Sequence, residues 1–228
     1  PGIYTLSLHD ALPISDFHKK YHEIISLISL SPSDHVCDYG CGSGDLSFLI
    51  HLKSKCKITA IDYSLDAIKI CLLKLNYFKK NTDSKINIKF LNKNNQNIPK
   101  LKNIKAVFFC DVFEHLYDDE INYVIKKISK WNNPKIVIHT DNNKYLKYIH
   151  PFIRLMALLT KKTTIKKIKD EDIFNQKRHI NLTNSQKLTS KMNKLGYKLI
   201  KIKYPKIDKK TIKIQLGTLS KYSFLINI

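Results

Sequence analysis

Arginine is nearly missing from this chain. Of 40 basic side chains only Arg154 and Arg178 are arginines; every other is lysine, against 19 acidic residues, for a net charge of +21. Readers of bases and phosphates favour arginine for its bidentate fork, and the lysines here are dispersed, with little aromatic interleaving. With Ile and Asn also abundant, the composition is that of an AT-rich coding sequence; a polyanion or anionic-membrane partner is the second reading of the charge. Long apolar runs are missing too. No stretch reaches the ~18 consecutive apolar residues of a membrane span, and nothing at the start has the layout of a secretory signal. There are no internal repeats. The five cysteines (Cys37, Cys41, Cys56, Cys71, Cys110) are odd in number and lie mostly in apolar patterns. They read as small buried residues in a reducing, cytoplasmic compartment rather than as a disulfide set. Cys37 and Cys41 lack partner ligands at zinc spacing, so no metal site is expected.

What is present suits one domain with a full core, at 228 residues. Residues 1–15 are set apart, because Tyr4-Thr5-Leu6-Ser7-Leu8-His9-Asp10-Ala11-Leu12-Pro13-Ile14 resembles the translation of a sequencing-library adapter. They are read as a non-native scar that displaces the native start, and the domain is expected over 16–228.

The chain is organised around His35-Val36-Cys37-Asp38-Tyr39-Gly40-Cys41-Gly42-Ser43-Gly44-Asp45-Leu46. A β-prone run ends in an acid, three glycines follow at alternate positions, and an apolar helix begins. Strand, glycine-rich turn and helix place a ligand against bare backbone and a helix N-terminus. The dinucleotide fingerprint G-x-G-x-x-G fails in register, since position 45 is Asp45 and the third glycine falls one place early. Next, Lys57 to Asp62 reads as a strand ending in an acid 18 residues beyond Gly44, near the distance at which a βαβ unit brings a carboxylate to a ribose. A carboxylate can accept from both ribose hydroxyls.

The remaining elements alternate. Asp16–Leu30 has helical spacing and ends at Ser31-Pro32. Ser64 caps a helix carrying Leu65, Ile68, Leu72 and Leu75. Strands are expected at 85–91, 106–111 and 135–141, a polar loop at 92–103, and a helix capped by Asp118. Asp38, Asp62, Asp111 and Asp141 then all fall at strand carboxyl ends, where open α/β sheets bind ligands. Residues 142–180 break the rhythm with an apolar, aromatic stretch (145–160) and a basic one (161–169). This is a lid over a pocket, an amphipathic basic helix on a membrane surface, or an ordinary packed insertion. Thr183-Asn184-Ser185-Gln186 fits a capping box, and Gly196 stands at a C′ position. Strands are expected again from Tyr197 to Tyr204 and from Tyr222 to Ile228.

Three pieces carry a family resemblance over about residues 17–204: Asp38-Tyr39-Gly40-Cys41-Gly42-Ser43-Gly44 with Asp62; Asp111-Val112-Phe113-Glu114-His115-Leu116, very like D-V-L-E-H-L; and Arg178-His179-Ile180-Asn181-Leu182 leading to Gly196-Tyr197. The chain resembles class I S-adenosylmethionine-dependent methyltransferases of the small-molecule kind, the ubiquinone-type O-methyltransferases among them. The resemblance implies a Rossmann-like, mostly parallel seven-stranded sheet with helices on both faces, one antiparallel strand near the C-terminus, and a helical insertion after the fifth strand. It implies S-adenosylmethionine as cofactor, held by Asp38, Gly40, Cys41, Gly42 and Gly44 on the methionine side. Asp62 with Tyr63 would serve the ribose, Asn94 (where the family often has an acid) the adenine, and Asp111 and Val112 the cleft wall. For an oxygen nucleophile a base helps; His115 is the candidate, then His139, then His150 and His179. A small-molecule acceptor is expected, a lipid or isoprenoid among the options, with peripheral membrane contact through 145–169. RNA methylation and a non-catalytic cofactor-binding scaffold are the alternatives; no N-P-P-Y-like motif follows the fourth strand.

Overall fold

The computed structural model describes residues 16–81, 85–140, 147, 148, 150–203 and 222–227. Five parallel strands form its body: β1 (His35–Tyr39), β2 (Lys57–Asp62), β3 (Ile88–Asn92), β4 (Ala106–Cys110) and β5 (Lys135–Thr140). A count of seven is reached only with an edge pair, β6 (Lys198–Lys203) and β7 (Tyr222–Asn227), in the order β3-β2-β1-β4-β5-β7-β6. Strand β7 runs antiparallel to both β5 and β6. Strand β1 is central, with Asp38 level with Ala60 of β2 and Phe108 of β4. The order reverses at β1, which opens a crevice at the carboxyl edge between β1 and β4.

Strands β1, β2, β4 and β5 are buried on both faces along most of their length, and the alternation of their side chains sorts the helices into two layers. Val36, Ile58, Ala60, Phe108 and Val137 face α1 (Asp16–Ile25), α2 (Asp45–Ser54) and α3 (Leu65–Asn81). Cys37, Tyr39, Ile61, Val107, Phe109, Ile136 and Ile138 face α4 (Asp118–Ile128) and α7 (Ser185–Lys194). Between β5 and α7 lie α5 (His150–Leu159) and α6 (Ile165–Arg178), whose described side chains are in neither core cluster.

Several boundaries differ from the sequence reading, each for a local reason. Helix α1 stops at Ile25, not Leu30, because the amides of Leu27 and Ile28 turn to carbonyls three residues back and Ser26 Oγ donates to Glu23 O. Asp118 is the first residue of α4 rather than its cap: Tyr117 N–H donates to Glu120 Oε2 at 2.9 Å, while Asp118 Oδ1 accepts from Asn181 and Lys191. The cap of α7 is Asn184, one place beyond Thr183, accepting from Lys187 N–H at 3.1 Å. The polar loop at 92–103 contains a one-turn helix at Asn95–Asn97. Strand β5 ends at Thr140; Asp141, Tyr204, Ile228 and residues 1–15 lie outside the described residues.

Candidate functional site

The glycine turn is shaped by its surroundings. Gly40 N–H and Cys41 N–H both donate to Ile61 O, at 2.8 and 3.0 Å, tying the end of β1 to the end of β2. Gly40 has φ +74°, and a Cβ there would lie 2.5 Å from Val112 Cγ2. At Gly44, φ is +82° and a Cβ would meet Cys71 Sγ at 2.9 Å and the Phe90 ring at 3.1 Å. Only glycine allows both the left-handed backbone and the close approach. Above Gly42 there is nothing within 4 Å of a built Cβ, so the turn opens onto free space.

That space is a cavity of about 790 Å³ at the carboxyl ends of the parallel strands. Gly40, Gly42, Asp62, Tyr63, Asn94, Asp111, Val112 and His115 all lie on its wall. Asp62, 7 % exposed, is held at both oxygens: Gly42 N–H donates to Oδ2 and Ser64 N–H to Oδ1, each at 2.8 Å. Each carboxylate oxygen keeps a lone pair for a further donor.

Three residues assigned to the cofactor stand behind the turn rather than on the cavity wall. Asp38 is 1 % exposed and accepts from Ser47 Oγ of α2 at 2.6 Å. Burial pushes its carboxyl up to about 7; the Ser47 hydrogen bond opposes this and the charges of Asp62 and Asp45 add to it. The Cys41 thiol is raised by its hydrogen bond with Cys71 and by burial, and Cys71 Sγ reaches Gly42 O at 3.2 Å. Gly44 packs on that same Cys71. These three shape the turn from beneath. All five cysteines are free thiols.

Asn94 is on the wall, but its side-chain oxygen accepts from Gln96 N–H and Asn97 N–H, at 3.2 and 3.1 Å, as the cap of the one-turn helix. With both lone pairs engaged it has no acceptor left for an amino group. Beside it, Tyr39 Oη donates to Asn95 Oδ1 at 2.8 Å and Asn95 Nδ2 donates to Glu120 Oε1 at 3.1 Å, which ties the wall to α4.

The β4–β5 side is built differently. Asp111 adopts φ +55°, a costly conformation for a non-glycine residue. Its N–H donates to His139 O at 2.8 Å, its Oδ1 meets His139 Nδ1 at 2.6 Å, and its Oδ2 accepts from Lys20 Nζ of α1 at 2.5 Å. Burial would raise this carboxyl, but His139 and Lys20 outweigh it and hold the group well below the usual carboxylate range. Cys110, Asp111 and His139 also form a grouping among the described residues whose ligand atoms lie within 4.8 Å of one another. Next along the chain, buried Glu114 accepts from Thr140 Oγ1 at 2.7 Å. His115 is exposed at the cavity rim, its ring 5.1 Å from that of His179. His139 is buried on β5, and His150 opens α5. Lys20, Glu120 and Asn95 carried no sequence signal: each is a polar residue whose partner is distant in the chain.

No curated protein matches the chain at a significant level. Among solved structures, the methyltransferase domain of bacterial CtHen1 is similar at 16 % identity and a TM-score of 0.65, over 94 % of this chain and 100 % of that one. The cyclopropane synthase MmaA2 of Mycobacterium tuberculosis is similar at 10 % identity and 0.66, over 98 % and 88 %. The geranyl diphosphate C-methyltransferase of Streptomyces coelicolor, solved with Mg²⁺, geranyl diphosphate and S-adenosyl-L-homocysteine, is similar at 10 % and 0.64, over 92 % and 80 %. Such identities speak for the fold. The stronger finding is a match to the model of a methyltransferase domain over residues 30–203, from just before β1 to the end of β6. The chain belongs to that methyltransferase-domain family, within the class I S-adenosylmethionine-dependent methyltransferases.

Proposed function

We propose that this enzyme moves the methyl group of S-adenosylmethionine to an oxygen nucleophile on a small molecule, in the manner of the ubiquinone-type branch. The observation that carries the cofactor reading is Asp62, a nearly buried carboxylate held by two backbone amides on the cavity wall beside bare glycine backbone. The residues fit the group: a carboxylate for two ribose hydroxyls, an open turn for the methionine part, and a cleft of about 790 Å³. In this reading the ligand runs along the sheet edge, with the base toward Asn94, the ribose on Asp62 and the sulfur between the Gly40 turn and Asp111, all four residues lining the cavity. Asn94 shapes the base pocket through its cap rather than by reading the amino group.

When bound, the cofactor supplies an activated methyl on a sulfonium. The protein's part is to hold the acceptor in line and exclude water. His115, at the rim, takes the proton of the acceptor hydroxyl as the new O–CH₃ bond forms. A small-molecule acceptor is the reading that fold neighbours solved with small molecules support, geranyl diphosphate among them.

The α5–α6 pair supports an apolar acceptor delivered from an anionic lipid surface. Its packing is inverted: Arg154 of α5 pairs with Asp172 and Glu171 of α6, at 2.5 and 3.7 Å, while Phe152, Ile153, Leu155, Met156 and Leu159 face outward, Leu159 being 69 % exposed. Exposed Lys161, Lys162, Lys166 and Lys167 follow. Apolar face plus lysines matches the headgroup boundary of an anionic bilayer. No helix among the described residues is long and apolar enough to cross a membrane. Co-sedimentation with phosphatidylglycerol-containing vesicles, but not with phosphatidylcholine alone, is expected, and is weakened in Leu155→Glu/Leu159→Glu. No binding to either removes the surface reading.

The cofactor reading is tested by calorimetric titration of S-adenosylhomocysteine into the chain. Micromolar binding, weakened roughly 30-fold in Asp62→Ala, is expected; no binding by folded protein overturns it. Labelled donor then separates acceptors. Label transferred to organic-extractable hydroxyl compounds supports the small-molecule reading. Label in RNA, with binding that falls steeply with salt, favours the second reading that the net charge of +21 supports.

A further inference from the structure

We propose that Lys20 is the built-in counter-charge of Asp111, and that it sets how strongly the cofactor pocket prefers the cationic methyl donor over its neutral product. This rests on the cofactor reading above. Four observations lead to it. Asp111 lines the same cavity as Gly40 and Gly42, on the β4 side, where the cofactor reading puts the sulfur. Its backbone is held in a left-handed conformation at φ +55°, which turns the chain back on the strand end. One carboxylate oxygen is anchored by the buried His139 Nδ1 at 2.6 Å, so the group has little freedom to swing away. The other oxygen takes the Lys20 ammonium at 2.5 Å, from a helix 91 residues away in the chain.

Donor and product share the adenosine and the methionine tail. They differ at one atom: the sulfonium carries a full positive charge, and after methyl transfer the thioether carries none. Contacts at Asp62, the glycine turn and the base pocket therefore act alike on both ligands. A charge near the sulfur acts on the donor alone. A bare carboxylate at Asp111 would hold the sulfonium tightly. In the transition state the positive charge spreads toward the acceptor, so that attraction would stabilise the bound donor more than the transition state and slow transfer. The Lys20 ammonium cancels the field, and His139 keeps the carboxylate where Lys20 can meet it. Lys20 and His139 are thus positioning residues acting through Asp111.

The test is the ratio of dissociation constants, product over donor, measured by calorimetry at fixed ionic strength on the full chain. Lys20→Met is expected to raise the ratio about threefold to tenfold toward the donor, and Asp111→Asn to lower it by a similar factor. Lys20→Arg restores the charge and keeps the wild-type ratio. Equal weakening of both ligands in Lys20→Met would place Lys20 on a feature they share, such as the methionine carboxylate, and overturn the proposal. An unchanged ratio in both Lys20→Met and Asp111→Asn overturns it as well. If Lys20→Met does not fold by circular dichroism, Asp111→Asn carries the same ratio in the opposite direction and decides. Failure of the folded wild-type chain to bind either ligand is a different result, and sinks the cofactor reading itself.

Discussion

The two halves of the sheet's carboxyl edge hold their acids in opposite ways. On the β1–β2 half, Asp38 and Asp62 are held by neutral donors: the Ser47 hydroxyl and the amides of Gly42 and Ser64. On the β4–β5 half, Asp111 is held by Lys20 and His139. In the first arrangement Asp38 stays buried beneath the turn, while Asp62 keeps lone pairs directed by backbone amides and open to hydroxyl donors at the cavity. The second balances the carboxylate's charge with Lys20 and His139 at the cavity wall, where we propose the cationic sulfur sits. The difference also gives the halves opposite responses to pH. Asp38 is raised to about 7 by burial, so the folded chain keeps a proton there that the unfolded chain gives up above the ordinary carboxylate range. Its contribution to stability falls as pH rises through that window. Asp111 is lowered, so its contribution is present above the ordinary carboxylate value and is lost as pH falls below it.

The largest expected effect comes from prising the halves apart where they touch. Gly40→Ala drives a methyl into Val112 Cγ2, 2.5 Å away, on a backbone at φ +74°. It should cost about 2–4 kcal/mol in urea unfolding. Gly40→Ala/Val112→Ala should recover part of that, because the contact is relieved while the backbone strain stays. Full recovery would show that φ carries no cost here.

Next is the loss of the amide-held acid. Asp62→Ala should weaken S-adenosylhomocysteine by about 2 kcal/mol, roughly 30-fold, by calorimetry. Asp111→Asn should leave that neutral ligand within about threefold, since its role is charge at the sulfur. Equal losses would erase the distinction between the halves.

The pH responses sharpen the comparison at smaller amplitude. Asp38→Asn removes the buried ionisable group, so its melting temperature relative to wild type should climb from pH 5 to pH 8, by about 1–2 kcal/mol in stability terms. Asp111→Asn should be less stable than wild type at pH 7 by about 1 kcal/mol, the partly exposed Lys20 pair contributing modestly. That gap should close as pH falls below 4. Melting curves of the two variants between pH 3 and pH 8 check both signs. Parallel curves would mean that neither environment shifts its acid as described.

The smallest effect is expected at Asn94. Losing its cap on the one-turn helix should cost about 0.5–1 kcal/mol in Asn94→Ala. The affinity for S-adenosylhomocysteine should fall less than about threefold. A tenfold loss would mean that the side chain meets the base after all.

Much of the scaffold was legible in the chain because it is written locally. Apolar runs ending in acids marked β1, β2 and β4, the alternate glycines marked the turn, and helical spacing marked α3 and α7. Asp62 could be placed because a βαβ unit has nearly fixed length, and the structure sets it on the cavity wall. Cap positions slipped by a residue at Asp118 and Thr183. Several polar side chains there compete for the same amides, and a neighbour from another element decides: Lys191 and Asn181 draw off Asp118.

The residues behind the turn were harder to place. Asp38, Cys41 and Gly44 belong to the motif, yet only packing shows that they face Ser47, Cys71 and Phe90 rather than the cleft. The same holds for Asn94, where the acceptor capacity of one oxygen is consumed two and three residues on.

By itself the sequence determined the parallel α/β body, the glycine turn that exposes backbone to the cavity, and the acid beside it on the cavity wall, since each depends on side-chain periodicity or on glycine within a short window. Tertiary structure alone decided the charge of the site. Lys20 and Asp111 are 91 residues apart, Asp111 and His139 are 28 apart, and Glu114 and Thr140 are 26 apart. Local pattern carries no record of such pairs, because a lysine on a helix face reads as solvated until the fold brings it against an acid at the cavity wall.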